Sequence, residues 1–257
     1  PAIVTNSYAT GDVQGSYQVG GLVGYSGDNI TDSFATGNVS GTDGATGNYV
    51  GGLVGHLRDG TVNRSYASGN VFGEGNGLGG LVGYSYDGSI VASNATGNVE
   101  VRTNGAAAGL LGDNFGGSVK RSYATGAVNN TGTAGGLVGL NGDSSQSPSI
   151  YGTITASYAT GSVEAGDVAG GLVGKNDAGD ITSSYAVGSV SRATTIGGAV
   201  GVNVSGSIGG TYWDATATGQ TDGTGTGDDS GIAGLDTRDM KGDAAKMNMS
   251  AFDFVST

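Results

Sequence analysis

Two short blocks recur in alternation along most of this chain, and no other feature restricts its fold so strongly. The first reads Ser-Tyr-Ala-Thr-Gly-x-Val at residues 7–13 and returns at 33–39, 65–71, 93–99, 122–128, 157–163 and 184–190. The second reads Gly-Gly-Leu-Val-Gly at residues 20–24, 51–55, 79–83, 135–139 and 170–174, with variants at 108–112 and 197–201. The pair recurs at intervals of roughly 30 residues, the spacing of a solenoid whose units bury their apolar faces only by stacking.

The blocks read as strands. Each is short, bounded by Gly and polar turn residues, and rich in Val, Thr and Tyr. Gly within every block opposes a helix, at about 1 kcal/mol each time. Length variation falls in loop-like stretches at 41–48 and 143–149, where a coil can bulge without losing its stacking. The reading is all-β: a β-solenoid, or parallel β-helix, of about seven to eight coils with a C-terminal cap.

Alternation then sorts side chains by face. The Tyr and Thr of the first block share the outward parity with Asn6, Asp32, Arg64, Ala92, Arg121, Ala156 and Ser183. The inward parity holds Ser, Ala, Gly and Val, so sheets must lie close together. In the second block Leu22 reads as inward, while Val23 is ambiguous between a half-covered face and a bend that breaks the count. Stacked in register, Tyr8, Phe34, Tyr66, Tyr123, Tyr158 and Tyr185 form an outer ladder broken by Asn94. Thr10, Thr36, Thr96, Thr125 and Thr160 run beside it.

Residues 1–208 are assigned to the repeats and 209–257 to a degenerate last repeat and cap. The last part carries the lone Trp213 and gathers Ile232, Leu235, Met240, Met247, Met249, Phe252 and Phe254. Asp236 or Thr237 is expected to cap a short helix from Arg238 that Gly242 ends. The segment would cover the open core and free strand edges of the last coil. The first residues already belong to a repeat, and the chain reads as a piece of something longer.

Composition narrows function. With 55 Gly, 36% apolar residues and no Cys, the chain suits a thin core repeated along an axis. A formal charge of −12 makes nucleic acid and anionic membrane poor partners. No run of about 18 apolar residues crosses a bilayer. Asp222, Asp228 and Asp229 sit in a Gly/Thr-rich loop and are weak calcium candidates whose spacing matches no calcium loop. A plain acidic turn is the favoured reading. Likewise Asp28, Asp59, Asp87, Asp143, Asp177 and Asp180 follow the second block and read as turn residues. The single His56 reads as a surface residue, and no pair of acid and base emerges for catalysis.

The Gly-Gly-Leu-Val-Gly block followed by Ser-Tyr-Ala-Thr-Gly-x-Val resembles the GLUG repeat of large bacterial surface and secreted proteins. The ending from Tyr212-Trp213-Asp214 to Gly234-Leu235 and Met240-Lys241 is similar to segments that close such arrays. Departures are Ala108 with Leu111, Ala199 and Asn94, read as looser coils. The resemblance implies a secreted or cell-surface stalk or passenger segment of an adhesin, without catalysis or a required cofactor, joined to upstream repeats. Two alternatives remain open. One is a module whose Tyr/Thr ladder binds an extracellular glycan or a host or biofilm surface. The other is an ice-binding or polysaccharide-acting β-helix.

Overall fold

A computed structural model describes residues 3–42, 48–146 and 150–252. The parts of the two loop-like stretches at 43–47 and 147–149, and Phe254, lie outside them. Each coil contributes five short strands to five parallel sheets, numbered 1 to 5 in chain order. One coil runs Thr61–Asn63 in sheet 1, Tyr66–Ala67 in sheet 2, Val71–Gly73 in sheet 3, Gly77–Gly79 in sheet 4 and Val82–Tyr86 in sheet 5. Among the described residues sheets 3 and 4 have seven strands, sheets 1 and 5 have eight, and sheet 2 has nine. The chain therefore makes seven full coils and closes within an eighth.

Register is the same at every level. Val62 pairs with Ile90, Val71 with Val99 and Val82 with Leu111. Ala67 lies between Ala35 and Ala95. Equivalent residues of successive copies are stacked directly, as the repeat requires.

The core has two lobes. Ile30, Leu53, Val54, Leu57 and Val62, with their equivalents from sheets 1, 2 and 5 and the intervening corner, fill one. Val39, Val50, Val71 and Leu78, from sheets 3 and 4, fill the other. Between them the coil is pinched. A Cβ added to Gly52 would lie 2.9 Å from the Ala67 Cβ, and still closer to the Gly80 carbonyl oxygen of the next coil. The same Gly–Ala contact recurs from Gly21 on Ala35 to Gly171 on Ala186. The Ala and the second block's middle Gly are small because two backbones meet there.

Leu53 and Val54 are both fully buried, which settles the ambiguity in the second block as a bend. Their N–H groups, at 2.9 and 3.0 Å, donate to one acceptor, the Leu81 carbonyl. Two consecutive donors on one acceptor turn both side chains inward, as in a bulge, and alternation fails locally. A second corner precedes the first block. Asn6, Asp32, Arg64, Ala92, Arg121, Ala156 and Ser183 take φ between 46° and 51°. They point outward, but as left-handed corner residues and not as members of a strand.

The corner would leave buried backbone donors without partners, and the Ser that follows supplies them. The Ser33, Ser65, Ser93, Ser122 and Ser157 N–H groups each donate to the Ser Oγ of the next coil, at 3.1–3.2 Å. Each Oγ donates in turn to the carbonyl two residues back. In sheet 5 a buried amide ladder does similar work. Asn114, Asn141 and Asn176 donate through Nδ2 to the next Oδ1 at 2.7, 2.8 and 3.0 Å, ending on Asn203.

The C-terminal part closes the rod as a cap, with its helix placed later than expected. Trp213 takes the Ala position of the stack, pairing in register with Ala186. Its indole lies against Gly198, Gly223 and Gly234 and covers the larger lobe. Ala199, fully buried, stands in that coil where others carry Leu. The volume removed at Ala199 is returned by the indole, so this departure is compensated. Leu110 and Leu111 are likewise fully buried. Strands Thr224–Gly227 and Ile232–Leu235 cover the last edges of sheets 5 and 2.

Helix α1, Ala215–Thr218, begins on Asp214, whose side chain accepts from the Ala217 N–H. Helix α2 spans Gly242–Asn248, so Gly242 opens the helix it was expected to end. Thr237 is drawn away to Asp214, at 2.9 Å, and Asp236 accepts from Thr216 at 3.2 Å. Neither acts as the expected helix cap. Met249, Ala245 and Phe252 pack on Tyr212 and Tyr185, on the outer face of sheet 2. The late apolar cluster thus covers the foot of the aromatic ladder, while Trp213 plugs the core.

Backbone contact between coils supplies a sharp test. A Cβ on Gly69 would overlap the Gly37 carbonyl oxygen of the preceding coil, whereas one on Gly11 meets nothing within 4 Å. Gly69→Ala is expected to cost more than about 4 kcal/mol, or to split the unfolding transition, while Gly11→Ala stays within about 0.5 kcal/mol. Denaturant unfolding followed by circular dichroism measures both. Equal effects would refute the stacking at this corner.

Candidate functional site

On two outward faces aromatic side chains contact one another from coil to coil. On sheet 2 the first block places Tyr and Thr two residues apart, so both point away from the core. The rings form two stacks. Tyr8, Phe34 and Tyr66 stand 5.3 and 4.9 Å apart at interplanar angles of 10° and 5°. Tyr123, Tyr158 and Tyr185 stand 5.0 and 4.9 Å apart, both at 4°. Asn94 separates them, in register between Tyr66 and Tyr123.

Face-to-face stacking uses up ring faces. Inside each stack only edges and hydroxyls meet solvent. Phe252 packs edge-on to Tyr185 at 5.7 Å. Burial, with Tyr158 behind it, pushes the Tyr185 hydroxyl up to about 12. Thr10, Thr36, Thr96, Thr125 and Thr160 are all exposed beside the rings, with Ser68 in the same row. The face is therefore a regular row of phenol edges and hydroxyls, with open ring faces turned toward Asn94.

The acidic candidates are scattered. Asp228 accepts from the N–H and hydroxyl of Ser230, at 2.9 and 2.8 Å, which folds it onto its own loop. Those bonds hold its carboxyl below the usual range. Asp222 and Asp229 are exposed, and their carbonyls accept from Gly198 and Ile232. Among the described residues no group of three His, Cys, Asp or Glu could hold a metal. Asp59 and Asp87 take φ of 58° and 53°, as turn residues. Arg64 grips Asp32 of the coil before it with two bonds, at 2.7 and 2.6 Å, and this keeps the Asp32 carboxyl low.

The second face was not legible as a site. Sheets 4 and 5 turn their outer faces toward each other in a groove along the rod. The sheet 5 row reads Tyr25, His56, Tyr84, Asp113, Leu140, Lys175 and Val202 in consecutive coils. Tyr49 of sheet 4 stacks on Tyr84 at 4.3 Å. His56, far from a free surface residue, meets Tyr25, Tyr49 and Tyr84 edge-on at 5.0, 5.6 and 4.8 Å. Its Nδ1 faces Gln18 Nε2 at 3.0 Å, so Nδ1 is the acceptor. Its Nε2 is buried without a partner. Burial, helped by Arg58, lowers its pKa from 6.5.

Asp113 follows two coils later. It is 6% exposed, and its Oδ1 has no partner. Desolvation raises its carboxyl well above the ordinary 3.8. The sequence held one signal for this groove: the variable site after each second block is aromatic or His in the first three coils.

A comparison with known families matches the GLUG motif at residues 15–40, 46–71 and 74–100. Each match spans about one coil and ends in sheet 3, so the chain is a GLUG-motif-containing protein. A stretch of 75 residues, 26% of this chain, is 44% identical to Halomucin of Haloquadratum walsbyi. The chain spans about 1% of the length of that curated relative.

Two stability measurements probe these faces. Asn94→Tyr should fuse the two stacks and add about 0.5–1.5 kcal/mol for each new ring pair, read as a rise in urea midpoint. A fall would show that Asn94 is required. For Asp113 the folded-state value lies above the unfolded one. Its contribution to stability is whole below about 4 and is lost as pH rises through the raised value. Asp113→Asn should therefore raise the thermal midpoint at pH 7 by several degrees and leave it unchanged at pH 3. An equal change at both pH values would contradict the upward shift of this buried carboxyl.

Proposed function

We propose that this chain is a rigid, non-catalytic spacer within a secreted or cell-surface, adhesin-type protein. The observation that carries the reading is the unbroken stack. Five sheets continue through seven coils, so parting two coils means breaking bonds in every sheet together. The GLUG motif and the similarity to Halomucin support a place outside the cell. The acidic surface supports solubility for a Gly-rich rod. No helix among the described residues is long and apolar enough to cross a membrane.

A surface-binding role for the Tyr/Thr face is the second reading, favoured by its regular row of exposed hydroxyls and phenol edges. The stacked geometry argues for spacing first, because rings that face one another stabilise the rod and offer little platform to a ligand. A matching array for ice would need more than one Thr per strand.

Exchange separates the two. In the full-length protein, this segment is replaced by an unrelated rod of equal length, and cell attachment is scored beside a Tyr66→Ala/Tyr123→Ala variant. The spacer reading expects attachment to survive both changes. Loss in both would transfer the function to the Tyr/Thr face. Release of soluble sugar from polysaccharide by the purified segment would overturn the non-catalytic reading.

A further inference from the structure

We propose that the groove between sheets 4 and 5 is a binding site for a neutral, linear glycan, on a face separate from the Tyr/Thr ladder and independent of the spacer role. Two cavities lie along this row. One, of about 220 Å³, is formed on sheet 5 alone, by His56, Arg58, Tyr84 and Tyr86, at the edge of the groove. The other, of about 240 Å³, is walled by Asn76, Asn104, Ala106 and Thr133 on one side and Asp113, Leu140 and Lys175 on the other.

The chemistry of the walls selects the ligand. His56 Nε2 and Asp113 Oδ1 are both buried and lack partners, which is costly unless something from outside completes them. With Nδ1 accepting, Nε2 carries the proton and needs an acceptor. Desolvation raises the Asp113 carboxyl and so favours its protonated form, which both gives and takes hydrogen bonds. A sugar hydroxyl serves either partner, since it donates and accepts. Tyr84 has one face on Tyr49 and Tyr86 lies under Arg58, so these rings offer a sugar their edges and hydroxyls. Asn76, Asn104 and Thr133 add neutral polar groups.

Other classes fit less well. A metal needs several ionised donors, and one carboxyl does not make such a set. A polyanion meets a chain of formal charge −12. The groove's two cations are already engaged: Lys175 holds Asp177 at 2.7 Å, and Arg58 lies over Tyr86 at 5.6 Å beside Asp59. Length also agrees. Each coil advances about 4.8 Å, close to one pyranose residue, so the groove cavity from Asn76 to Lys175, three coils on, spans about 14 Å, room for about three sugar units.

Calorimetric titration of the whole chain tests the site, with cellotetraose, xylotetraose and chitotetraose as probes and tetragalacturonate as the charged control. Saturable binding of at least one neutral probe, tighter than the charged control, is expected. Tyr84→Ala and Asp113→Ala should each weaken it by about ten-fold or more. Because either could disturb folding, Ala106→Trp is the second route: it fills the groove from its outer wall and should abolish binding with an unchanged far-ultraviolet spectrum. Tyr158→Ala, on the other face, should bind as the parent does. No heat with any neutral probe, or binding that survives Ala106→Trp, overturns the proposal. So does binding lost only with Tyr158→Ala.

Discussion

The structure depends on how closely one coil's backbone can approach the next at two places. At the corner of the first block, Gly37, Gly69, Gly97 and Gly126 each press on the carbonyl of the preceding coil's Gly, leaving no space for a side chain. At the waist, Gly52 and its equivalents press on Ala67 and its equivalents. Hydrogen-bonded stacking fixes the axial spacing, and these contacts fix the cross-section at two lobes joined by a neck. The identities of Gly and Ala follow from distance alone.

Given that cross-section, the polar ladders are required. A left-handed corner removes backbone groups from the regular sheet pattern inside a protected interior, where each unpaired donor costs about 1–3 kcal/mol. Ser at the next position returns a partner at every level, and in-register stacking makes one solution serve all coils. The buried Asn114–Asn141–Asn176–Asn203 ladder obeys the same logic. Each amide gives one hydrogen to its neighbour and another toward a local turn carbonyl, as Asn176 does to Gly179 at 3.0 Å. The top of that ladder is less complete, since Asn114 Oδ1 and Ser85 Oγ have no partner. That is where the row changes from Asn to Ser and Leu.

How much of this could be read in advance varied with the range of the interaction. The solenoid, the inward Ala and Val and the outward Tyr and Thr were legible, because local alternation and a repeat express them. The second block was not, because two consecutive donors sharing the Leu81 carbonyl is a three-dimensional event that period-two counting misses. Gly242 was misjudged because Asp214, distant in sequence, claims Thr237. The groove escaped because its contacts join positions such as Gln18 and His56, or Tyr49 and Tyr84. These meet only when two sheets fold their outer faces together.

This contrast bears on how a repeat protein displays function. Stacking demands identical solutions at inward and corner positions, so uniform rows there report the rod's own stability. The Tyr row belongs in part to this class, since its rings spend their faces on each other. A ligand, by contrast, needs chemistry that differs from level to level along the axis, with aromatic surface at one coil and a hydrogen-bonding group at another. The sheet 5 row changes from Tyr25 and His56 through Tyr84 to Asp113 and Lys175 within six coils, on a backbone that does not change. A row that keeps its register while losing its uniformity has side chains the fold does not require, and recognition has room to act there.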